Sequence, residues 1–233
     1  MHRSIQHRLH RIRRRLRAVS FLLFAAVVLT ASIATPQISA AAEINLSGIG
    51  TFKAPSAEQL AALPTDLGFS QSDLASGTWS FSVRYEDSSP GSEPSAYVAR
   101  YAGAIHSFRL VIGKTTLDLP IDQAVISVSD GGDGFPNRES IRVETKALMP
   151  SGLLRLSWVQ VNQQPKGSDL RGPAGTLPTA AMPASSTIAN MATENPFDRF
   201  LELRIDRPNG DPRPLLYLSS SKLTVTAGTA TVP

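Results

Sequence analysis

The 233-residue chain contains no cysteine, which excludes disulfide bonds, thiolate metal sites and lipid attachment through a cysteine. Histidine is also scarce: there are four, and three of them precede residue 11, so only His106 lies in the body of the sequence. A Ser-His-Asp triad needs a positioned base, and no Gly-x-Ser-x-Gly elbow is present. Glycine-rich nucleotide-binding motifs and the P-loop are missing as well. These absences argue against the common nucleophilic, metal-dependent and nucleotide-dependent enzymes.

Residues 1–42 have the composition of a signal peptide. Seven arginines and no acidic residue are followed by an apolar run, Ala18–Ala34, and by three alanines before Glu43. This order predicts cleavage before Glu43 and export to the periplasm or the cell exterior, without stable membrane insertion afterwards. Cleavage after Ala40 is one alternative. An uncleaved anchor is another, since the run approaches the roughly 17 residues that span a bilayer.

Removal of this segment reverses the net charge. The chain has 23 basic and 19 acidic residues, and seven of the basic ones lie in residues 1–42, so residues 43–233 hold 16 basic against 19 acidic residues, a net charge of −3. Nucleic-acid binding requires clustered cations on the folded domain. The composition therefore predicts no nucleic-acid partner.

Alternation of apolar and polar residues dominates residues 43–233 and predicts strands. The clearest case is Gly77–Glu86, in which Trp79, Phe81, Val83 and Tyr85 share one face. Similar patterns occupy 44–52, 105–112, 115–119, 124–128, 140–145, 153–161, 200–206, 215–218 and 222–227. About ten strands separated by turn residues predict a single all-β domain, an antiparallel β-sandwich of which the jelly roll is one form.

Three local features interrupt this pattern. Ser56 and Gln59 form a capping-box sequence that predicts one short helix, which Pro64 ends. The apolar positions of Leu153–Val161 change parity after Trp158, which a β-bulge would explain. Residues 163–195 are rich in Pro, Gly, Ala, Ser and Thr without periodicity, and predict a long irregular loop wrapped over the sandwich.

A resemblance to known proteins is carried by two strand ends and the loop between them. The segment from Phe81 to Phe108 resembles exported bacterial all-β proteins of the type that often ends in a PEP-CTERM sorting tail, and the likeness extends over roughly residues 43–227. The matching residues are Phe81, Val83, Tyr85, Glu86, Asp87, Pro90, Pro94, Tyr101, Gly103, Ala104, Ile105, Ser107 and Phe108. The resemblance implies an exported β domain and transfers no catalytic residue.

This chain departs from those proteins at its end. A sorting tail consists of Pro-Glu-Pro, a transmembrane helix and a terminal arginine cluster, whereas the sequence ends at Pro233, about where such a tail begins. Either the tail was lost or this is a member of the type without one.

Two sets of residues are candidates for ligand binding. Asp130 and Asp133 flank two glycines, and their carboxylates with nearby backbone carbonyls provide the oxygen ligands that Ca²⁺ prefers, although an Asp-Gly turn is the simpler interpretation. No other cofactor is predicted. Tyr97 and Tyr101 follow the polar loop Asp87–Ser95 and are candidates for stacking on a carbohydrate.

The remaining chemistry to consider is glycoside hydrolysis, which needs a pair of carboxylates. Glu139, Glu144, Glu202 and Asp206 lie at polar positions of alternating strands, where a solvated face is the simpler interpretation. The sequence therefore favours a non-catalytic exported protein that interacts with a surface, a matrix or a polysaccharide. The alternative is a secreted carbohydrate-active hydrolase that uses a carboxylate pair. The oligomeric state is not determined by the sequence.

Overall fold

A computed structural model of the chain describes residues 42–92, 95–132, 134–177, 179–193, 198–220 and 223–229, apart from the side chains of 190–193 and 198. The residues from Ala41 to Pro233 form one compact unit. Apart from Ala42, the predicted signal peptide lies outside the described residues.

Strands are the main secondary structure of this unit. The eleven strands of the described residues are β1 (Glu43–Thr51), β2 (Thr78–Glu86), β3 (Val98–Ala102), β4 (Ile105–Ile112), β5 (Thr115–Asp118), β6 (Val125–Asp130), β7 (Arg138–Met149), β8 (Gly152–Gln163), β9 (Asp198–Asp206), β10 (Leu216–Ser220) and β11 (Leu223–Thr229). The α-helices are α1 (Ala57–Ala61), α2 (Gln71–Ala75) and α3 (Ser185–Thr193), and single 3₁₀ turns occupy Thr65–Leu67 and Gly172–Ala174.

The strands form two antiparallel sheets. The smaller sheet has the order β11-β1-β2-β4-β5, and the larger one has the order β10-β9-β8-β7-β6-β3, in which five consecutive strands follow one another as a meander. Phe81 of β2 meets Trp158 of β8 with ring centroids 6.0 Å apart, which shows that the inner faces pack together. The predicted all-β sandwich is confirmed.

The core follows directly from the alternation of the strands. Along β2, Trp79, Phe81, Val83 and Tyr85 are buried, whereas Thr78, Ser82 and Arg84 between them are exposed. Successive side chains of a strand point to opposite faces, so one face of each sheet supplies the interior and the other meets solvent. The larger sheet, with six strands against five, has the broader outer face.

Helix α1 has the capping box that its sequence predicts. The Ser56 hydroxyl accepts from the Gln59 N–H at 3.2 Å, and the Gln59 Oε1 accepts from the Ser56 N–H at 2.9 Å. Helix α2 begins with the same arrangement at Ser70 and Asp73. Helix α3 lies inside the segment predicted as an irregular loop, and its Ile188 is buried in the core. Such a helix depends on docking against the sandwich more than on its own sequence.

The bulge predicted in residues 153–161 does not occur. Strand β8 pairs with β7 without interruption, so Gln160 continues the inward face and Val159 the outward face. Gln160 is fully buried, and its amide has no hydrogen-bond partner within the described ranges. The irregularity lies instead between Arg84 and Tyr85, where β4 contributes His106 as an extra residue.

Gly48 is a position where the packing of the two sheets requires the smallest residue. A Cβ at Gly48 would lie 2.4 Å from Cε1 of Phe81, whose ring is itself held against Trp158. We expect Gly48→Ala to lower the free energy of unfolding by about 1–3 kcal/mol, because overpacking forces the ring or the backbone to move. Urea-induced unfolding measures this difference.

Gly228→Ala is the matched control. Gly228 also lies in a strand beside β1, opposite Asn45, and a Cβ there would meet no atom within 4 Å. Its substitution should leave the free energy of unfolding nearly unchanged or raise it slightly. An equal loss of stability in both variants would contradict the explanation by Phe81.

Candidate functional site

Asp130, one of the two predicted calcium ligands, lies at the end of β6 with its side chain inside the sandwich. It is 1% exposed, and its Oδ2 accepts from the Gly172 N–H at 2.9 Å. Oδ1 is buried and accepts no hydrogen bond from the described part of the chain. Burial raises the pKa of the Asp130 carboxyl, and the charge of Asp169 raises it further, whereas the Gly172 N–H and Arg171 lower it.

Asp133, the second predicted ligand, lies outside the described residues. Among the residues that the structure describes, no group of three or more His, Cys, Asp and Glu side chains could hold a metal ion. Calcium binding at this loop stays a prediction.

Glu139, which the sequence analysis placed on a solvated face, is fully buried. It is the register partner of Asp130 on one side and of Asn162 on the other, and all three point inward. Its Oε2 accepts from the Asn162 Nδ2 at 2.8 Å, and its Oε1 accepts from the Leu177 N–H at 2.6 Å. The solvated-face interpretation was wrong for this residue, because Gly175 and Leu177, in the long segment that follows β8, cover its carboxyl group.

Two buried tyrosines hold the same segment. The Tyr101 hydroxyl donates to the carbonyl of Ala180 at 2.8 Å, and the Tyr85 hydroxyl donates to that of Pro183 at 3.2 Å. Together with Asp130 and Glu139, these side chains hold the long segment, which we call the connection, through four hydrogen bonds. Its partners in these bonds are Gly172, Leu177, Ala180 and Pro183. The polar groups at this end of the sandwich therefore serve the fold.

The two predicted carbohydrate-binding tyrosines lie in different environments. Tyr101 is 6% exposed and belongs to the core, so its ring offers no surface for stacking. Burial raises the pKa of its hydroxyl. Tyr97 is 40% exposed, and the Arg171 guanidinium lies 5.2 Å from its ring centroid. Ligand binding by Tyr97 stays a prediction.

The outer face of the larger sheet carries a candidate site lined by several charged side chains. Two depressions of about 600 and 480 Å³ lie there and share Arg142 and Glu144. We call them together the trough. Its basic side chains are Arg100, Arg138, Arg142, Lys146, Arg155 and Arg204. Its lining also includes Glu144, Ser157, Glu202 and Tyr217.

A row of hydrogen-bonding side chains crosses the middle of the trough. Glu144 on β7 pairs with Ser157 on β8, which pairs with Glu202 on β9. The Tyr217 hydroxyl donates to the Glu202 Oε1 at 2.8 Å, and Arg142 lies 3.8 Å from the Glu144 Oε2. Partial burial raises the pKa of Tyr217, and so does its hydrogen bond to Glu202.

The next row of the trough consists of cations. Lys146, Arg155 and Arg204 are register partners on β7, β8 and β9. Asp206 contacts two of them: its Oδ2 lies 2.8 Å from the Arg155 Nε, and its Oδ1 accepts from the Arg204 Nε. Tyr217 on β10 is the register partner of Arg204 and lies at the end of this row.

Sequence reasoning singled out Glu144, Glu202 and Asp206 but did not predict that they lie close together. It missed the row of cations and Tyr217. Alternation alone placed these residues at polar positions, but their shared row depends on which strands are neighbours. The signal that was available is the density of arginine and lysine at the outward positions of β7, β8 and β9.

No family model, no curated protein and no solved structure matches this chain. Within the described ranges, none of the helices is long and apolar enough to cross a membrane.

The raised pKa of Asp130 predicts how stability depends on pH. A carboxyl whose pKa in the folded state exceeds its ordinary value of 3.8 favours folding while it is protonated, and this contribution is lost as the pH rises through the folded-state pKa. Asp130→Asn keeps an acceptor for the Gly172 N–H and removes the buried charge. We expect it to raise the Tm at pH 7 and to change the Tm much less at pH 4.

Asp73 provides a control of opposite sign. Hydrogen bonds from the Ser70 hydroxyl, the backbone N–H groups of Lys114 and Ser70, and the Thr115 hydroxyl hold the pKa of the Asp73 carboxyl well below its usual range. Its stabilising contribution is therefore present above the ordinary value of 3.8. Asp73→Asn should lower the Tm at both pH values. A lower Tm for Asp130→Asn at pH 7 would contradict the assignment for Asp130.

Proposed function

We propose that this protein is an exported, non-catalytic β-sandwich that binds a polysaccharide along the trough. The trough itself is the observation that carries this proposal. Its lining residues come from all six strands of the larger sheet, from β3 to β10. At about 4.8 Å per strand, the trough extends over about 24 Å. This length suits an extended oligomer better than a single small molecule.

The side chains of the trough fit a chain of sugar units. Glu144, Ser157 and Glu202 offer acceptors for sugar hydroxyls, and the arginines offer donors. Tyr217 is 51% exposed and adds an aromatic surface at one end, where a sugar ring can stack. A site for a glycan needs this combination of hydrogen-bonding groups and a hydrophobic platform.

Export belongs to the same proposal and rests on the composition of residues 1–42 and on the resemblance to exported bacterial β proteins. A secreted or periplasmic protein meets cell-surface and matrix polysaccharides, so the proposed location and the proposed ligand agree. The absence of cysteine leaves the sandwich equally stable in reducing and oxidising surroundings.

Two exposed tyrosines distinguish the trough from the loop site that the sequence predicted. We expect Tyr217→Ala to weaken binding of a soluble polysaccharide about fivefold to tenfold, because the stacking surface and the hydrogen bond to Glu202 are lost. Tyr97→Ala should leave binding unchanged. Affinity electrophoresis of the purified protein against a panel of neutral and acidic polysaccharides measures both.

The result that contradicts the proposal is equally clear. Binding that depends on Tyr97 and not on Tyr217 would move the site to the loop, and binding to no polysaccharide of the panel would remove the proposed function.

A second candidate function, glycoside hydrolysis, is favoured by one observation. Glu144 and Glu202 lie two strands apart in one row, with the small residue Ser157 between them. Two strand spacings amount to about 9.6 Å, close to the upper end of the separation of about 6.5–9.5 Å found between the carboxyl groups of inverting glycosidases. The pair lies in an open trough where a sugar chain has access.

Hydrolysis predicts that the protein releases reducing ends from a polysaccharide that it binds. Glu144→Gln and Glu202→Gln should each abolish that release and leave binding largely intact, because the amide keeps the shape and hydrogen-bonding capacity of the side chain but cannot exchange the proton. Asp118→Asn, on the smaller sheet, is the control. Binding without any release of reducing ends by the unmodified protein would exclude this second candidate.

A further inference from the structure

The row of three cations in the trough is unfavourable for the fold alone. Side chains directly opposite on neighbouring strands have Cβ atoms about 4.5–5.5 Å apart, and like charges at that distance destabilise a sheet. Lys146, Arg155 and Arg204 occupy three such positions in succession. Asp206 is a single carboxylate between Arg155 and Arg204 and compensates only part of their charge.

The wider charge distribution has the same sign. The trough is lined by six basic and two acidic side chains, whereas residues 43–233 carry an excess of acidic residues. Six of the sixteen basic residues of this part of the chain are therefore concentrated on one sheet face. Such a segregation attracts an anionic partner and raises its local concentration.

We propose that the ligand of the trough is an acidic polysaccharide, whose uronate carboxylates bind along the row of Lys146, Arg155 and Arg204. This inference rests on the proposed function and adds the chemical class of the ligand. Arginine presents a planar fork of donors that matches a carboxylate in two parallel hydrogen bonds, and lysine adds a point charge. A ligand carboxylate supplies the counter-charge that Asp206 alone does not provide.

The two rows of the trough suit the two kinds of group on such a polymer. Sugar hydroxyls donate to Glu144 and Glu202. The carboxylates of the same polymer contact the row of cations, which lies two residues away along each strand. A nucleic acid fits this arrangement less well. Its closely spaced phosphates would face the two carboxylates, and a DNA strand lacks the 2′-hydroxyl donors that could reach them.

Polygalacturonate and the same polymer with its carboxylates methyl-esterified provide a direct test, because esterification removes the charge and adds only one methyl group to each sugar unit. The panel also includes polymannuronate, polyglucuronate, a neutral glucan and a single-stranded DNA oligonucleotide. We expect the protein purified after export, without the basic segment 1–42, to bind at least one of the acidic polymers and to bind its methyl ester at least tenfold more weakly. Raising sodium chloride from about 0.05 M to about 0.5 M should weaken the binding, because salt screens charges in an open trough.

Two arginines with similar surroundings supply the variant and its control. Arg155 is 51% exposed and pairs with Asp206 at 2.8 Å, and Arg109 on the smaller sheet is 54% exposed and pairs with Asp118 at 2.7 Å. Arg155→Gln should weaken binding of the acidic polymer about tenfold, the loss expected for one bidentate charged contact. Arg109→Gln should leave the affinity unchanged, and circular dichroism checks that both variants fold.

The outcomes separate this inference from the proposed function. Equal binding of the acidic polymers and their esters, or binding of the neutral glucan alone, would overturn the acidic class while polysaccharide binding remains. Binding to none of the polysaccharides would overturn both. Binding of the oligonucleotide as tight as that of the acidic polymers would also overturn the inference, since the trough would then be a general surface for anions.

Discussion

Burial of the Glu139 carboxyl group is the constraint on which the end of the sandwich around Asp130 and Asn162 depends. A polar group removed from water is costly unless donors reach it. The donors come from two places, the amide of Asn162 on the neighbouring strand and the backbone N–H of Leu177 in the long connection. If the long segment left this end of the sheet, the buried Glu139 Oε1 would lose its hydrogen-bond donor. Glu139 therefore couples the start of β7 to a segment almost forty positions further along the chain.

The same connection determines which polar residues are available for function. It draws Asp130, Tyr85 and Tyr101 into hydrogen bonds with its backbone, so these groups maintain the fold. It covers an edge of the interior, and the part of the outer face of the larger sheet that carries the trough stays open. Within the described residues, the charged side chains of the trough satisfy no buried polar group of the core. The succession of Lys146, Arg155 and Arg204 even opposes sheet stability. A charged surface that opposes stability without serving the core is typical of a binding surface.

Part of this structure follows from the sequence with simple rules. The alternation in β2 predicts both the strand and its buried face, and Ser56 with Gln59 predicts the first helix and its cap. These rules failed where contacts with residues distant in sequence decide whether a side chain is buried. Gln160 and Asn162 point inward, although they are polar, because the uninterrupted pairing with β7 maintains the parity of β8. Helix α3 has few apolar residues of its own, so its sequence does not predict a helix. Tyr101 follows a polar loop in the sequence, and only the fold shows that its hydroxyl is bound to Ala180 in the interior.

The sequence by itself determined the class of the domain and the excess of acidic over basic residues beyond residue 42. These properties depend on composition and on a period of two residues, both of which are local. Only the tertiary structure decided which carboxylate is buried, which tyrosine remains exposed and which charges share a row. Strand order and register bring together residues that are far apart in the sequence, such as Lys146, Arg155 and Arg204 in the larger sheet and Ile44 and Thr229 in the smaller one. No local rule contains that information, because it arises from the way in which the two sheets bury their common core.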